Sequence, residues 1–307
     1  MLRNDFYIDD LLSGGNSVST LKKIKTDLTN ILHSAGFTLH KWISNESSIV
    51  NNHLKLPTLP TKEEIKTLGI CWNTTDDNLQ YKTQAMAKTD RPTKRSILST
   101  ITQIYDPLVL MGPTIICAKI VLQQLWKLKL GWDESLPLDL HTTWIKYQEK
   151  IENMSLIAIP RHVICAEPQH IEMHGFCDAL ESAYGVCIYI RSMNESGKIY
   201  TQLLCAKSRV APLKRVTLPR LELCGALVLA KLGQSVKQAL SINIDAIHYW
   251  SNSTIALAWI KHSPEELQTF IANRVADIQR IAPEVRWAHV KSQDNPTDII
   301  SRGSKDT

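Results

Sequence analysis

The sequence predicts an α/β protein whose C-terminal part is a mixed sheet with flanking helices. Three observations predict it. Strand-like runs follow one another from His170, in "IEMHGFCDA", "AYGVCIYIR" and "KIYTQLLCAKS". Near Thr217 the apolar period becomes helical and stays so to about Leu240. Strands "AIHYWS" and "EVRWAHV" then alternate with helices "TIALAWIK", "EELQTFIANRVADIQRI" and "PTDIISR", closed by Gly303. The order β-β-β-α-β-α-α-β-α, a meander followed by alternation, gives a mixed sheet with helices packed on it.

The preceding elements read as follows. Asp5–Leu11 is a strand, a turn holding Asp9 and Asp10, and a second strand; "SGGNS" is a loop. Val18–Ala35 places Leu21, Ile24, Leu28, Ile31 and Leu32 at helical spacing, and Gly36 stops the helix. Phe37–Ile43 alternates like a strand, and Thr67–Asn73 and Leu79–Gln84 pair around the "TTDDN" turn. From Thr93 to about Ile151 the period is helical, broken at Pro107, Pro113 and Pro137. Pro160–Pro168 is a linker. Trp42, Trp126, Trp144 and Trp259 lie on apolar stripes and are read as core. The chain therefore divides into segments 1–90, 91–165 and 166–307.

Composition narrows the class. With 307 residues, 44% hydrophobic and 21% charged, the chain is globular rather than disordered. Its net charge of +5 suits a polyanionic partner without requiring one. The seven cysteines include no C-x-x-C and sit mostly in apolar runs. That pattern speaks for free thiols in a reducing, intracellular compartment, cytoplasmic or nuclear, and against zinc. No signal peptide is apparent. The most apolar stretch, Pro107–Leu122, is cut by Pro113 and Lys119 and is too short to span a membrane.

Four polar positions stand at element ends in the C-terminal segment. Asp178 ends the first strand, in "GFCDA"; by itself it reads as a solvated strand-end aspartate. Glu222 follows the helix start at Thr217 and Pro219, beside a stripe of Leu221, Cys224, Val228 and Leu232. Asn252 follows "IHYWS" and, taken alone, helps Ser251 or Ser253 cap the next helix. Asp298 falls three residues after Asn295, where a capping box explains it locally. Together they read differently, because these four element ends can converge at one end of such a sheet. Carboxylates gathered there can hold two divalent cations about 4 Å apart, and Mg²⁺ suits hard oxygen ligands.

The stretches "FCDALESAYGVCIYIR", "SRVAPLKRVTLPRLELCGALVLAKL", "YWSNSTIALAWI" and "HVKSQDNPTDIISRG" resemble the RNase H domain of Bel/Pao-type LTR retrotransposons. Upstream, "FYIDDLLSGG", "AGFTLHKWISN", "LGICWN", "IYDPLVLMGP" and "GWDESLP" resemble the reverse transcriptase and connection of the same elements. The resemblance spans essentially the whole chain. It implies a partial reverse transcriptase palm at 1–90, a helical thumb/connection at 91–165 and an RNase H-like domain at 166–307. In the last, Asp178, Glu222 and Asp298 are implied catalytic and metal-binding residues for Mg²⁺ or Mn²⁺. Asn252 stands where the family pattern has aspartate. Loss of one negative charge weakens cation binding, so impaired cleavage is expected.

The same resemblance gives Asp9 and Asp10 the role of palm metal ligands. The palm's other aspartate lies upstream of this hairpin, so half a metal site and no polymerase activity from this chain alone are expected. The implied ligand is an RNA–DNA hybrid, recognised by shape and 2′-OH. Lys94 and Arg95, and Lys207, Arg209, Lys214 and Arg215, with Arg220 behind them, are the candidate phosphate contacts. A solvated basic loop is the alternative for the second group.

Overall fold

The structure, a computed structural model, describes residues 5–7, 10–40, 42–50, 64–67, 70–81 and 91–303. The chain divides into two compact units, Met1–Lys82 with Leu156–Arg161, and Thr83–Ser155 with His162–Thr307. Among the described residues no helix is long and apolar enough to cross a membrane.

In the first unit, β1 (Phe6–Tyr7) and β2 (Asp10–Leu11) form an antiparallel pair in which Tyr7 faces Asp10. Helix α1 (Val18–Ser34) begins where Ser17 accepts the Thr20 N–H. It ends before Gly36, whose φ of +80° only glycine adopts without strain. A four-stranded antiparallel sheet has the order β3 (Glu64–Thr67), β4 (Ile70–Asn73), β5 (Asn78–Gln80), β6 (Ala158–Pro160). Asp77 in the β4–β5 turn receives the Trp72 indole N–H at 2.9 Å and both guanidinium arms of Arg161 at 2.6 and 2.9 Å. That pair of bonds fastens β6, whose last residue, Pro160, the sequence reading places at the start of a linker. The strand expected over Phe37–Ile43 does not form at residues 37–40 and 42–43. Alternation supplies a face, but a strand also needs a neighbour to complete its ladder.

The second unit opens with α2 (Lys94–Thr102), α3 (Gly112–Lys127) and α4 (Leu138–Glu152). Pro113 starts α3 instead of breaking it, since its missing N–H is unneeded in a first turn. The sheet that follows has the order β11-β10-β7-β8-β9. It is built from β7 (Pro168–Ala179), β8 (Ala183–Asn194), β9 (Ile199–Val210), β10 (Ala246–Ser251) and β11 (Arg286–His289). β7, β8 and β9 run antiparallel; β10 lies parallel to β7, and β11 parallel to β10. The helices are α5 (Leu218–Ala239), α6 (Thr254–Lys261), α7 (Thr269–Ile281) and α8 (Asp298–Arg302). The predicted element order is the observed one.

One sheet face carries the main core, with Met173, Val186, Ile188, Ile190 and Tyr249 packed on Leu221, Ala226, Leu229 and Ala230. Helix α5 is sandwiched between this face and α7, so it buries Leu223, Gly225 and Gly233 as well as the expected Leu221 and Val228. Its stripe is wider than the sequence reading, and Cys224 stays only half-buried. Gly233 is where the Tyr249 ring crosses the helix: a Cβ there would stand 1.7 Å from the Tyr249 hydroxyl oxygen. Helix propensity favours alanine by about 0.8–1.0 kcal/mol, while overpacking costs about 1–3 kcal/mol. Gly233→Ala is therefore expected to lower the unfolding midpoint. An unchanged or raised midpoint would show that Tyr249 repacks freely.

The second face carries Cys187, Ala206 and Ile300 with Val109, Phe176, Tyr189 and Leu203. Here α3 packs on β9 and α8. The Ala206 N–H donates to the Leu108 carbonyl at 2.8 Å, and Gln123 Nε2 to the Ala211 carbonyl at 2.6 Å. The helices of segment 91–165 thus share one compact unit with the large sheet.

At the far end of that face Glu172 lies 3.0 Å from His174 Nε2, 3.2 Å from His170 Nε2 and 2.9 Å from Arg191 Nη1. Burial alone pushes this carboxyl up, but the hydrogen bonds with His174 and His170 and the Arg191 charge outweigh it and hold the pKa at about 2. A depressed carboxylate stabilises the fold above its unfolded value of 4.5 and loses that contribution as pH falls toward about 2. Glu172→Gln should flatten stability against pH across that window. A wild-type-like acid limb in the variant would assign the limb to other groups.

Candidate active site

The element ends do converge. Asp178 closes β7 and is 3% exposed. Its register partner on β8 is Gly185, where a Cβ would meet Ile300 Cγ2 at 2.5 Å. Glycine at that point lets α8 seat against the sheet beside Asp178. Both oxygens of the Asp178 carboxylate are occupied. Oδ1 accepts from Asn252 Nδ2 at 2.9 Å, and Oδ2 from the Ser301 hydroxyl at 2.5 Å.

Asn252 and Ser253 follow β10. Ser253 caps α6 by accepting the Ala256 N–H at 3.1 Å, while its hydroxyl donates to Glu222 Oε2 at 2.5 Å. One serine therefore ties the start of α6 to the first turns of α5. Burial pushes the Glu222 carboxyl above its ordinary range, the Ser253 bond opposes this, and the nearby Asp178 charge pushes in the same direction as burial. Asn252 Nδ2 also donates to Ser292 at 3.3 Å. Its Oδ1 is buried and accepts no hydrogen bond among the described residues.

Asp298 begins α8, on the helix that brings Ser301 to Asp178; its carboxylate is ion-paired to Arg302 at 2.7 Å. Asn295 does not cap this helix. Its Nδ2 donates to the Cys177 carbonyl at 3.0 Å and its Oδ1 accepts from the backbone N–H and the hydroxyl of Thr297. It anchors the loop before α8 to the strand end next to Asp178. Ser253, Ser301 and Asn295 were not singled out as site residues in the sequence. Only Ser253 left a usable signal there, as a helix-capping serine beside Asn252.

The donor set can be tested against a divalent cation. Asp178, Glu222, Asp298 and the unpartnered Asn252 Oδ1 are hard oxygen donors, so they fit Mg²⁺ or Mn²⁺ in kind. They fall short in charge, since position 252 contributes an amide. Among the described residues no three His, Cys, Asp or Glu side chains are already gathered to hold an ion.

The basic candidates separate into two groups. Lys207, Arg209, Lys214 and Arg215 are exposed on β9 and on the loop before α5, and Arg215 lies 3.7 Å from Glu181. Arg220 bonds Gln268 at 3.1 Å and lies over the Phe270 ring. Lys94 has another use. It is 5% exposed, with Nζ 3.4 Å from the Trp126 ring centroid and 5.1 Å from that of Trp132. Arg95 is held by both oxygens of Asp133 at 2.8 and 3.0 Å. A lysine set against two indoles ties α2 to Trp126 on α3 and to Trp132 in the loop after it. Trp126 is half exposed, where the sequence reading had it in the core, and Trp144 is buried as expected. Asp10 is exposed on β2, and Asp9 lies outside the described residues.

Fold and acid-bearing element ends together define an RNase H-like protein. A family model described as the Pao retrotransposon-like RNaseH-like domain matches residues 93–253, and the chain belongs to that family. The match begins at the cap of α2 and so runs across the 165/166 boundary drawn from the sequence. Among solved structures, the chain is similar to LC11-RNase H1, isolated from compost by a metagenomic approach, in complex with an RNA/DNA hybrid. That likeness has a TM-score of 0.29 and 15% identity, over 41% of this chain and 88% of that one. The RNase H1 of the archaeon Halobacterium salinarum gives 0.26 and 10%, over 40% and 91%. A foamy viral protease-reverse transcriptase in complex with dsDNA gives 0.26 and 18%, over 93% of this chain and 54% of that one. No curated protein matches the chain.

Proposed function

We propose that this chain is a Bel/Pao-type retroelement Pol fragment whose RNase H-like domain binds RNA–DNA hybrids and whose phosphodiester hydrolysis is impaired by Asn252. One observation carries the reading: Asp178 at the end of β7 is bonded to Asn252 after β10 and to Ser301 on α8, while Glu222 on α5 is bonded to Ser253, the residue next to Asn252. Asp178, Glu222 and Asp298 would hold the divalent cations, with Asn252 Oδ1 as a neutral donor. Bound ions, two Mg²⁺ or Mn²⁺, supply an activated water and stabilise the leaving oxygen. The protein's own groups set the charge that retains them, and the amide leaves that charge one unit short. Lys207, Arg209, Lys214 and Arg215 would track the phosphates.

In the same reading, residues 1–90 belong to a reverse transcriptase palm and carry Asp9 and Asp10, and 91–165 derive from a thumb/connection. A second reading, a nucleic-acid binder without cleavage, is favoured by one fact: each Asp178 oxygen already accepts a hydrogen bond from inside the protein.

The test is cleavage of a labelled hybrid by the full chain with Mg²⁺ or Mn²⁺, natural protein beside Asn252→Asp. The variant should cleave about 10²–10³ times faster, the usual scale for restoring one electrostatic contact at a reacting centre. Equal, robust cleavage by both would remove Asn252 as the cause of impairment. Hybrid binding with no cleavage by either would select the second reading.

A further inference from the structure

We propose that Ser301 is a positioning residue that sets the orientation of the Asp178 carboxylate and its spacing from Asp298. The proposal rests on the reading of Asp178 as a cation ligand. It concerns a residue that reaches the reacting groups only through that aspartate.

The geometry is specific. Ser301 is fully buried, at 0% exposure. Its oxygen lies 2.5 Å from Asp178 Oδ2 and 3.0 Å from the Asp298 carbonyl oxygen. A hydroxyl has one proton, and the shorter contact to an ionised acceptor takes it. The Asp298 carbonyl is then only an alternative acceptor, which takes the proton if the bond to Asp178 is lost. Ser301 and Asp298 share the five-residue α8, so the Ser301–Asp178 bond ties the helix that carries Asp298 to the carboxylate on β7.

The seat of that bond is built. Ile300 fills the space left at Gly185, the register partner of Asp178. Asn295 ties the approach to α8 onto the Cys177 carbonyl, one residue before Asp178. The two carboxylates are 120 residues apart in sequence, and this five-residue helix must place one beside the other. A hydroxyl is suited to the task. It donates to the carboxylate without adding charge, so a cation arriving at Oδ1 still meets the full negative group. Asn252 by contrast donates to Oδ1 itself.

The experiment uses the full chain with ¹³C at the aspartate carboxyl carbons. The Asp178 resonance is identified by its loss in Asp178→Asn. Ser301→Ala should move that resonance, and Ser301→Thr, which keeps the hydroxyl, should leave it in place. Ser301→Cys, close to serine in size with a weak donor, should fall between them and covers the case in which alanine at 301 fails to fold.

In the Asn252→Asp background, Mn²⁺ affinity read by electron paramagnetic resonance should fall about tenfold in Ser301→Ala and stay within about twofold in Ser301→Thr. That scale matches loss of one hydrogen bond to a charged group. An unmoved Asp178 resonance in folded Ser301→Ala or Ser301→Cys overturns the proposal. So does an equal movement in Ser301→Ala and Ser301→Thr, which would make the effect one of packing. A resonance that moves only when the hydroxyl is lost, in a protein that binds no Mn²⁺, supports the positioning role and sinks the cation reading instead.

Discussion

Asn252→Asp is expected to destabilise the cation-free protein and to make its stability depend on Mg²⁺. The amide now donates to a carboxylate that is 97% buried, and it does so within the electrostatic reach of Glu222. Aspartate at 252 removes the donor and sets a third negative group 2.9 Å from Asp178 Oδ1 in its place. Leaving a buried charge uncompensated costs about 3–5 kcal/mol. For a unit of this size that is roughly 6–20 °C in unfolding midpoint. The loss should grow as pH rises, because protonation of one carboxyl relieves the repulsion at low pH. Mg²⁺ should restore much of the loss in the variant by binding the folded state, and should move the natural protein far less. Thermal unfolding with EDTA and with Mg²⁺ gives all four values. A variant as stable as the natural protein in EDTA would mean that the cluster is open enough for water to screen it.

The second large effect concerns the helices before the sheet. A chain beginning at residue 162 is expected to lose cooperative unfolding or most of its stability. It would lack Val109, which packs on Cys187, Ala206 and Ile300, and the helix α3 that lies on β9 and α8. It would also lose the Leu108 carbonyl and the Gln123 amide that bond the β9 strand end and edge. Each large apolar side chain returned to water costs about 1.5–3 kcal/mol. Uncovering Ile300 and the residues around it therefore removes an amount comparable to the whole stability of a domain, about 5–15 kcal/mol. α8 should suffer first, and with it Asp298 and Ser301. Denaturant unfolding of the fragment beside the full chain decides this. Equal midpoints and equal slopes would show that the cover is dispensable.

Much of the fold was legible because it is written in local periods. The alternation in β7, β8 and β9, the helical run of α5 and the prolines flanking α3 and α4 each depend on near neighbours. Element ends were legible too, so Asp178, Glu222 and Asn252 could be placed at one edge from their order alone. What escaped depends on distance in sequence. The Ser301–Asp178 bond spans 123 positions, and a serine on a short helix carries no period to announce it. Lys94 looked like a free cation because its enclosing rings, Trp126 and Trp132, come more than thirty residues later. The strand missing at residues 37–40 and 42–43 is the same lesson reversed: a good local pattern with no ladder to join among the described residues. The width of the α5 stripe could not be read either, since periodicity does not say that α7 covers the helix from behind.

The arrangement of the large sheet also bears on how this protein behaves in concentrated solution. A sheet is vulnerable to templated growth along its outer strands, where unpaired backbone groups invite another chain. On one side the outer strand is β11, only four residues long and ending in two polar side chains, Arg286 and His289. On the other, β9 is twelve residues long, but the Leu108 carbonyl already takes its Ala206 amide and α3 lies alongside. The helical cover therefore does a second job: it denies intermolecular strand addition the longest foothold the sheet offers.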